Sequence, residues 1–425
     1  MCRIGFSKKG STSVFLTMIL ASVIFAVSVF IYQASQLAGE SYADAVLELA
    51  GRSILSEYDI QLQKRYGIFA VHTNESQTEE KIKYYADYSF HDNALKEVLR
   101  KRRYMDILKL DLESLKVNLK GYSITDIDLF EKQILDSMKT NLIESVLKEE
   151  MTVSQRKSDI VLKNQQVIHG LPSYGYSKNS LDIKKILDHG IPDLNAIREK
   201  GTNDYFVNEY IMGHFFDHAN GTETRNTFFI NEVEYILAGN YNDQENYKDV
   251  RKDLLILRTG LNLAHIYSDS IKRNETAVLA EIITPGPEAI LTQAVINGIW
   301  AAAEAENDLR RLEDGKQVPL VKNRQQWAIS LENAVQVNEE KQVHSKNTQS
   351  GYIEPMNKTG VDYESYLRIL LFFQNREIKL LRCLDLIQLN MKGSYYKDFD
   401  LKEYYGGFQF DAVVSGKTYT YVQKY

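Results

Sequence analysis

The sequence is poor in cysteine: only 2 of its 425 residues are Cys. This excludes a disulfide framework and any Cys-rich zinc or iron-sulfur site. Basic charge is not in excess either, since 51 Lys and Arg stand against 57 Asp and Glu, so nucleic acid is not expected as a partner. The 44% hydrophobic and 25% charged residues are typical of a globular protein and not of a disordered, fibrous or multi-span membrane chain.

Charge is locally absent near the N-terminus. No charged residue lies between Lys9 and Glu40, and residues 14–32 are almost entirely apolar. About 20 such residues span a bilayer core as a helix, whereas a cleaved secretory signal has a shorter apolar region of roughly 7–15 residues. Residues 36–38, where a signal peptidase would have to cut, fit its preference for small residues poorly. We therefore interpret residues 11–32 as an uncleaved transmembrane helix.

The residues flanking this helix predict its orientation. Arg3, Lys8 and Lys9 precede the apolar stretch, and the charged residues that follow it from Glu40 onward are first acidic. Short segments rich in Lys and Arg stay in the cytoplasm. We predict a cytoplasmic tail of residues 1–10, a single pass through the cell membrane, and an extracytoplasmic remainder.

The helical pattern continues beyond the membrane. From Leu47 to Leu62 apolar side chains recur at intervals of three and four residues, with charged residues between them. This spacing predicts one apolar stripe on a juxtamembrane helix over residues 33–68, continuous with the span and ending near Gly67. A rod that leaves the bilayer and packs on a globular head is the architecture of pilins and pseudopilins. An amphipathic stalk packed on its own domain would show the same periodicity.

The remainder predicts an α+β, predominantly helical head. We assign residues 69–160 to a first α+β region and residues 161–182, where periodicity weakens around Pro172, to a linker. Residues 183–425 form a second, mostly helical region that ends in a hairpin.

Three predictions fall within this second region. Residues 228–237 are predicted to be a strand, and residues 363–390 a strongly apolar helix that buries Cys383. Alternating aromatic residues between Phe408 and Tyr421 predict the terminal hairpin.

Two histidines four residues apart are candidate metal ligands. His214 and His218, in the sequence HFFDH, would share one face of a helix. The order resembles the inverted zincin motif, but Asp217 replaces its glutamate, and a shorter side chain would not carry a proton to the same point. The neighbouring phenylalanines favour a packing role. We predict no metal and no cofactor, and keep these histidines as weak metal candidates.

Three other polar motifs have simpler interpretations than catalysis. Glu304 and Asp308 lie one helical turn apart with Arg311 nearby, which predicts a solvated, locally paired helix face. Residues 415–418, Ser-Gly-Lys-Thr, lack the glycine that a phosphate-binding loop needs and predict a hairpin turn. The basic run 100–103 predicts a solvated helix end, with lipid headgroups or wall polymers as alternative partners.

Four segments resemble a known family. They are KKGSTSVFLTMILA, SEYDIQLQKRYGIFA, WAAAEAENDLRRLEDGKQVPLVK and LRCLDLIQLNM. They are similar to a domain-of-unknown-function family of Gram-positive bacteria that is often encoded beside tight-adherence (Flp/Tad) pilus genes, and the similarity runs across nearly the whole chain. The N-terminus also resembles the TadE/TadG-like pseudopilins, with Gly10 and Ser11 at the position of prepilin processing. One departure is Phe15, where processed prepilins carry glutamate.

The resemblance implies a membrane-anchored, extracytoplasmic structural component of a pilus or related surface machine, with no catalytic residues to carry over. Its expected partners are the lipid bilayer, through residues 11–32, and other pilus assembly proteins or pseudopilins, with cell-wall polymer as a further candidate. Two alternatives stay open from the residues alone. One is an exported metal-dependent hydrolase acting on wall polymer or protein, centred on His214 and His218; the other is a ligand-binding sensor ectodomain.

Overall fold

The computed structural model describes residues 9–90, 110–141, 160–176, 181–190, 202–219, 227–339 and 351–425. Its helices are α1 Lys9–Leu55, α2 Ile60–Tyr66, α3 Glu75–Phe90, α4 Ile127–Asn141, α5 Gln165–Gly170, α6 Ile183–His189, α7 Asn203–His214, α8 Glu232–Ala238, α9 Asp243–Ser268, α10 Ser270–Ile283, α11 Ala289–Glu313, α12 Leu331–Glu339, α13 Tyr363–Phe373 and α14 Arg376–Ser394. Its strands are β1 Val71–His72, β2 Leu112–Asn118, β3 Tyr404–Tyr405, β4 Gly407–Val414 and β5 Lys417–Lys424.

The chain divides into two compact units. Unit 1 contains residues 1–63, 69–124 and 402–425, and unit 2 contains residues 64–68 and 125–401. These boundaries differ from the predicted linear division at 161–182. The described part of that segment includes α5, and the Ser173 N–H donates to the buried Asp385 carboxylate at 2.9 Å, so it packs within unit 2.

Unit 1 is built on an antiparallel sheet in the order β2-β4-β5. The C-terminal half of α1 packs on one face of this sheet and places a stripe of small and aliphatic side chains in the same core as Phe408 and Phe410: Ala43, Leu47, Ala50 and Ile54. A Cβ atom at Gly51 would lie 3.0 Å from the Phe410 ring, and this glycine therefore allows the helix to approach the sheet closely.

The C-terminal hairpin is confirmed. Ser415 and Gly416, which join β4 to β5, have φ angles of 48° and 80°, and two positive φ angles in a two-residue loop are the mark of a type I′ hairpin turn. Because β4 also pairs with β2, the hairpin belongs to unit 1. The prediction from sequence had placed the hairpin in the second region, residues 183–425.

The predicted rod is shorter than expected. The continuous helix ends at Leu55, and α2 starts only at Ile60. Between them the Asp59 N–H donates to the Ala70 carbonyl at 2.9 Å, while the Asp59 carboxylate accepts the N–H of Leu62 at 2.9 Å. Asp59 thus caps a new helix, and the apolar stripe continues on α2 although α1 has ended. Gly67, with φ 65°, then terminates α2.

Unit 2 is helical, and its centre is α14. All residues of this helix from Ile378 to Met391 are buried, including Cys383, as predicted. The predicted helix over 363–390 is interrupted at Gln374–Asn375, where the Asn375 side chain accepts the Ile378 N–H at 3.1 Å and caps α14.

The prediction of a strand over 228–237 is wrong, because residues 232–238 form α8. Val233, Tyr235 and Leu237 alternate with Glu232 and Glu234, and such alternation suggested a half-buried strand. Both glutamates are in fact fully buried. The alternation therefore comes from buried acids on a short helix, and not from the exposed face of a strand.

Candidate functional site

The N-terminal half of α1 is an exposed apolar surface. Among the described residues, Thr12–Leu55 is the one helix long and apolar enough to cross a membrane, and none of its most apolar 18-residue window is buried. The largest side chains there, such as Phe25 and Phe30, are 72% and 74% exposed. An uncovered apolar helix surface of this length matches the requirements of a bilayer-spanning segment.

The polar side chains of this segment bond within the helix. The hydroxyls of Thr17, Ser22 and Ser28 each donate to a backbone carbonyl three or four residues earlier, at 2.8 Å in all three cases. A bilayer interior offers no water to such groups, and internal hydrogen bonds satisfy them there. These three hydroxyls are therefore compatible with a hydrocarbon environment.

The predicted processing and topology residues lie at the margin of the structure. The backbone of Gly10 and Ser11 is already helical in the first turn of α1, and the Ser11 side chain lies outside the described part. Arg3 and Lys8 precede the described residues.

His214 and His218 do not share a helix face. α7 ends at His214, and His218 lies beyond the helix end. The His214 ring stacks on Tyr210 with centroids 4.1 Å apart, and burial lowers the pKa of His214. The His218 ring stacks on Tyr247 at 3.9 Å, and its Nδ1 lies 2.9 Å from the Asn231 side chain.

Each of these histidines therefore has its own packing and hydrogen-bond partners. Among the residues that the structure describes, no group of three His, Cys, Asp or Glu side chains is arranged to hold a metal ion. The geometry gives the two histidines a packing role.

Glu304 and Asp308 are fully buried, and the prediction of a solvated face is wrong. Arg258 of α9 donates to Asp308 at 2.8 Å, and Lys322 lies 2.6 Å from the other oxygen of the same carboxylate. Lys322 also pairs with Glu304. We call these four residues the buried ion cluster; Arg311, the third member of the predicted face, is also buried.

The remaining hydrogen-bonding groups of the buried ion cluster are also occupied. Glu304 accepts the N–H groups of Ala328 and Ile329 at 3.0 and 2.7 Å, and Arg258 donates to the carbonyls of Pro319 and Leu320 at 2.9 Å each. Burial alone would raise the pKa of Asp308, but Arg258 and Lys322 lower it below its ordinary value. These bonds attach the segment that follows α11 to helices α9 and α11. The buried ion cluster therefore has a structural role.

Beside the buried ion cluster, an ammonium group occupies an aromatic cage. The Lys272 Nζ lies 3.9 Å from the ring centroids of both Trp300 and Trp327. The ammonium is thus within cation–π distance of both indole rings, whose planes are 75° apart, and burial lowers the pKa of Lys272 to about 8. The cage holds the chain's own lysine and so contributes to packing.

Glu234 is another buried acid of unit 2, outside the buried ion cluster. Its carboxylate accepts from the His218 N–H at 3.0 Å and from the Tyr363 hydroxyl at 2.9 Å. Burial raises the pKa of Glu234 to about 8, and the nearby Asp217 adds to this effect. Glu234 is therefore protonated in the folded chain at neutral pH.

Replacing Glu234 with the isosteric glutamine should make the protein less sensitive to rising pH. The folded state keeps a proton between the ordinary carboxyl pKa and a value near 8, so the stability of the parent chain falls as pH rises through this interval. Glutamine removes that loss, a difference on the order of 3 kcal/mol by pH 7. Denaturant unfolding at pH 4.5 and pH 7 measures it, and equal pH dependence in both proteins would contradict the assignment.

Residues 126–416 match a family described as "Family of unknown function (DUF5702)". This segment is more than half of the chain. The chain belongs to this family. No curated protein and no solved structure matches this chain.

The DUF5702 segment covers almost all of unit 2 together with strand β4, and it contains the buried ion cluster. α1 to α3 lie outside the segment. The apolar N-terminal helix therefore comes in addition to the part of the chain by which the family is recognised.

The sequence identified two members of the buried ion cluster and missed the other two. Arg258 and Lys322 lie 50 and 14 residues from Asp308 along the chain. A signal for burial was present, because Glu304 and Asp308 fall on the same helical stripe as the buried Ala301, Ala305 and Leu312. Acids within an apolar stripe indicate buried partners.

Proposed function

We propose that this chain is a single-pass, membrane-anchored, pseudopilin-like structural subunit of a tight-adherence (Flp/Tad) pilus or a related surface secretion or adhesion machine, and that it is not an enzyme. The observation that carries the proposal is the division of α1. Its N-terminal half is apolar and uncovered, and its C-terminal half lies in the core of unit 1 against the sheet.

Such a helix couples a bilayer to a folded unit without a hinge of its own. The single helix runs from Lys9 to Leu55, so the transmembrane segment and the helix packed on β4 are one rigid element. Force or displacement applied to unit 1 would reach the membrane through this helix, as a structural subunit of a surface machine requires.

The polar sites of unit 2 support a non-catalytic role. Glu304, Asp308 and their basic partners are buried and bonded to each other, and His214 and His218 are held apart by separate partners. We place residues 1–10 in the cytoplasm, on the strength of Arg3, Lys8 and Lys9, and the residues that follow the transmembrane helix outside the cell.

Deleting the gene in the native host should abolish or alter surface pili and adhesion, because a missing anchored subunit leaves the machine incomplete. Electron microscopy of whole cells and a surface-adhesion assay measure this, with complementation by the parent gene as the control. Pili of normal number and length, with normal adhesion in the deletion strain, would overturn the proposal.

A further inference from the structure

The end of the α10–α11 hairpin is an exposed apolar surface. Six large aliphatic side chains there are each more than half exposed: Val278 62%, Ile282 71%, Ile283 56%, Ile290 73%, Leu291 72% and Val295 62%. Single exposed aliphatic residues are ordinary, but six on one projecting element mark an interaction surface. We call residues 278–295 the hairpin tip.

The tip is exposed on the outer faces of both its helices, although Ala280 within it is buried. Ile282 and Ile283 are adjacent on a helix and point about 100° apart, and the same holds for Ile290 and Leu291. All four are more than half exposed, so the last turn of α10 and the first turn of α11 project beyond the side chains that bury Ala280 and Ile296 further along. Only an occupant that encloses the tip can cover such a surface, and a flat face cannot.

The charge of the tip restricts what the occupant can be. No Lys, Arg or His lies between residues 274 and 309, whereas Glu281 and Glu288 are part of the tip. Both are exposed. Glu288 is at the apex and its side chain makes no cap bond to α11, and among the described residues no cation pairs with either glutamate. An anionic lipid surface would repel this tip, and a second copy would present the same carboxylates.

We propose that the hairpin tip docks into an apolar cleft of a partner protein that offers an arginine or lysine to Glu288 at its floor. The aliphatic side chains supply the buried area, and the carboxylate at the apex supplies orientation and partner choice through charge complementarity. This inference goes beyond the proposed function, because it holds whether or not α1 spans a bilayer.

Site-specific photocrosslinking of the full chain in native cells tests the proposal. p-Benzoylphenylalanine in place of Ile290 should form an adduct with one protein, and the crosslinked segment of that protein should contain an arginine or lysine. The same probe at Met356, which is 90% exposed and lies outside the tip, is the matched control and should not form this adduct.

Exchanging the charges of Glu288 and its partner residue then distinguishes specific docking from chance proximity. Glu288→Lys in the Ile290 probe chain should reduce the adduct roughly tenfold or more, and an acidic residue in place of the partner's arginine or lysine should restore it. Glu288 is exposed and makes no cap bond, so this substitution should lower the thermal midpoint of unfolding by a few degrees at most, through the helix dipole of α11. Adducts with lipid or with a second copy, no adduct above the Met356 control, or an adduct insensitive to Glu288→Lys would each overturn the proposal.

Discussion

Replacing Arg258 with methionine is expected to lower the free energy of unfolding of unit 2 by about 3–5 kcal/mol, the usual cost of removing one partner from a buried ion pair. Arg258 and Asp308 are both fully buried. Methionine fills much of the same volume, so the loss comes from the Asp308 carboxylate, which keeps Lys322 but loses its bond to the guanidinium, and from the carbonyls of Pro319 and Leu320, which lose their donor.

Tryptophan fluorescence during denaturant unfolding measures this change directly. The chain has only two tryptophans, and Trp300 and Trp327 both lie in unit 2 beside the buried ion cluster. Arg310→Met is the matched control, because Arg310 is two residues from Asp308 but its side chain is 53% exposed in its pair with Glu306. This exposed pair should cost no more than about 1 kcal/mol.

A double substitution identifies the origin of the loss. If the penalty comes from an under-compensated carboxylate, Arg258→Met combined with Asp308→Asn should be more stable than the sum of the two single changes predicts. Additive losses, or a loss below about 1 kcal/mol for Arg258→Met alone, would show that the pair contributes no more than a surface contact does.

Local sequence patterns were enough to predict the elements that depend on neighbouring residues. The uncharged stretch after Lys9 predicted a helix long enough for a membrane, and the alternating residues around 408–421 predicted the terminal hairpin. Both depend on periodicity and turn chemistry within about 20 residues. The same kind of pattern failed at 228–237, because burial of Glu232 and Glu234 depends on partners from other helices.

Long-range pairing could not be predicted in this way. β4 pairs with β2 across almost 300 residues, with Phe410 opposite Val117. The sequence near a hairpin does not indicate which distant strand pairs with it. The prediction of a solvated face at Glu304 and Asp308 failed for the same reason. The sequence shows the spacing of these two acids, but their exposure depends on Arg258 of α9. A charged residue on a helix is solvated or buried according to what packs on it.

Two arginines in the N-terminal half of α1 are expected to remove the chain from the membrane. Leu20→Arg with Ile24→Arg places both charges near the centre of the proposed span, where each arginine costs about 2.5–3.5 kcal/mol of insertion free energy. The double variant should move from the membrane to the soluble or degraded fraction, which carbonate extraction followed by immunoblotting measures.

The control for this variant lies in the same unit of the chain. Leu49→Arg with Ile60→Arg changes the same residue types at positions 66% and 58% exposed, compared with 59% and 57% for Leu20 and Ile24. In water the two double variants should therefore be equally tolerated, because all four side chains point away from the core. A bilayer around the first half of α1 makes them differ: the control should stay in the membrane fraction and the Leu20/Ile24 variant should leave it. If the Leu20/Ile24 variant stays in the membrane fraction as the control does, α1 is not the anchor, because only lipid contact separates these otherwise equivalent positions.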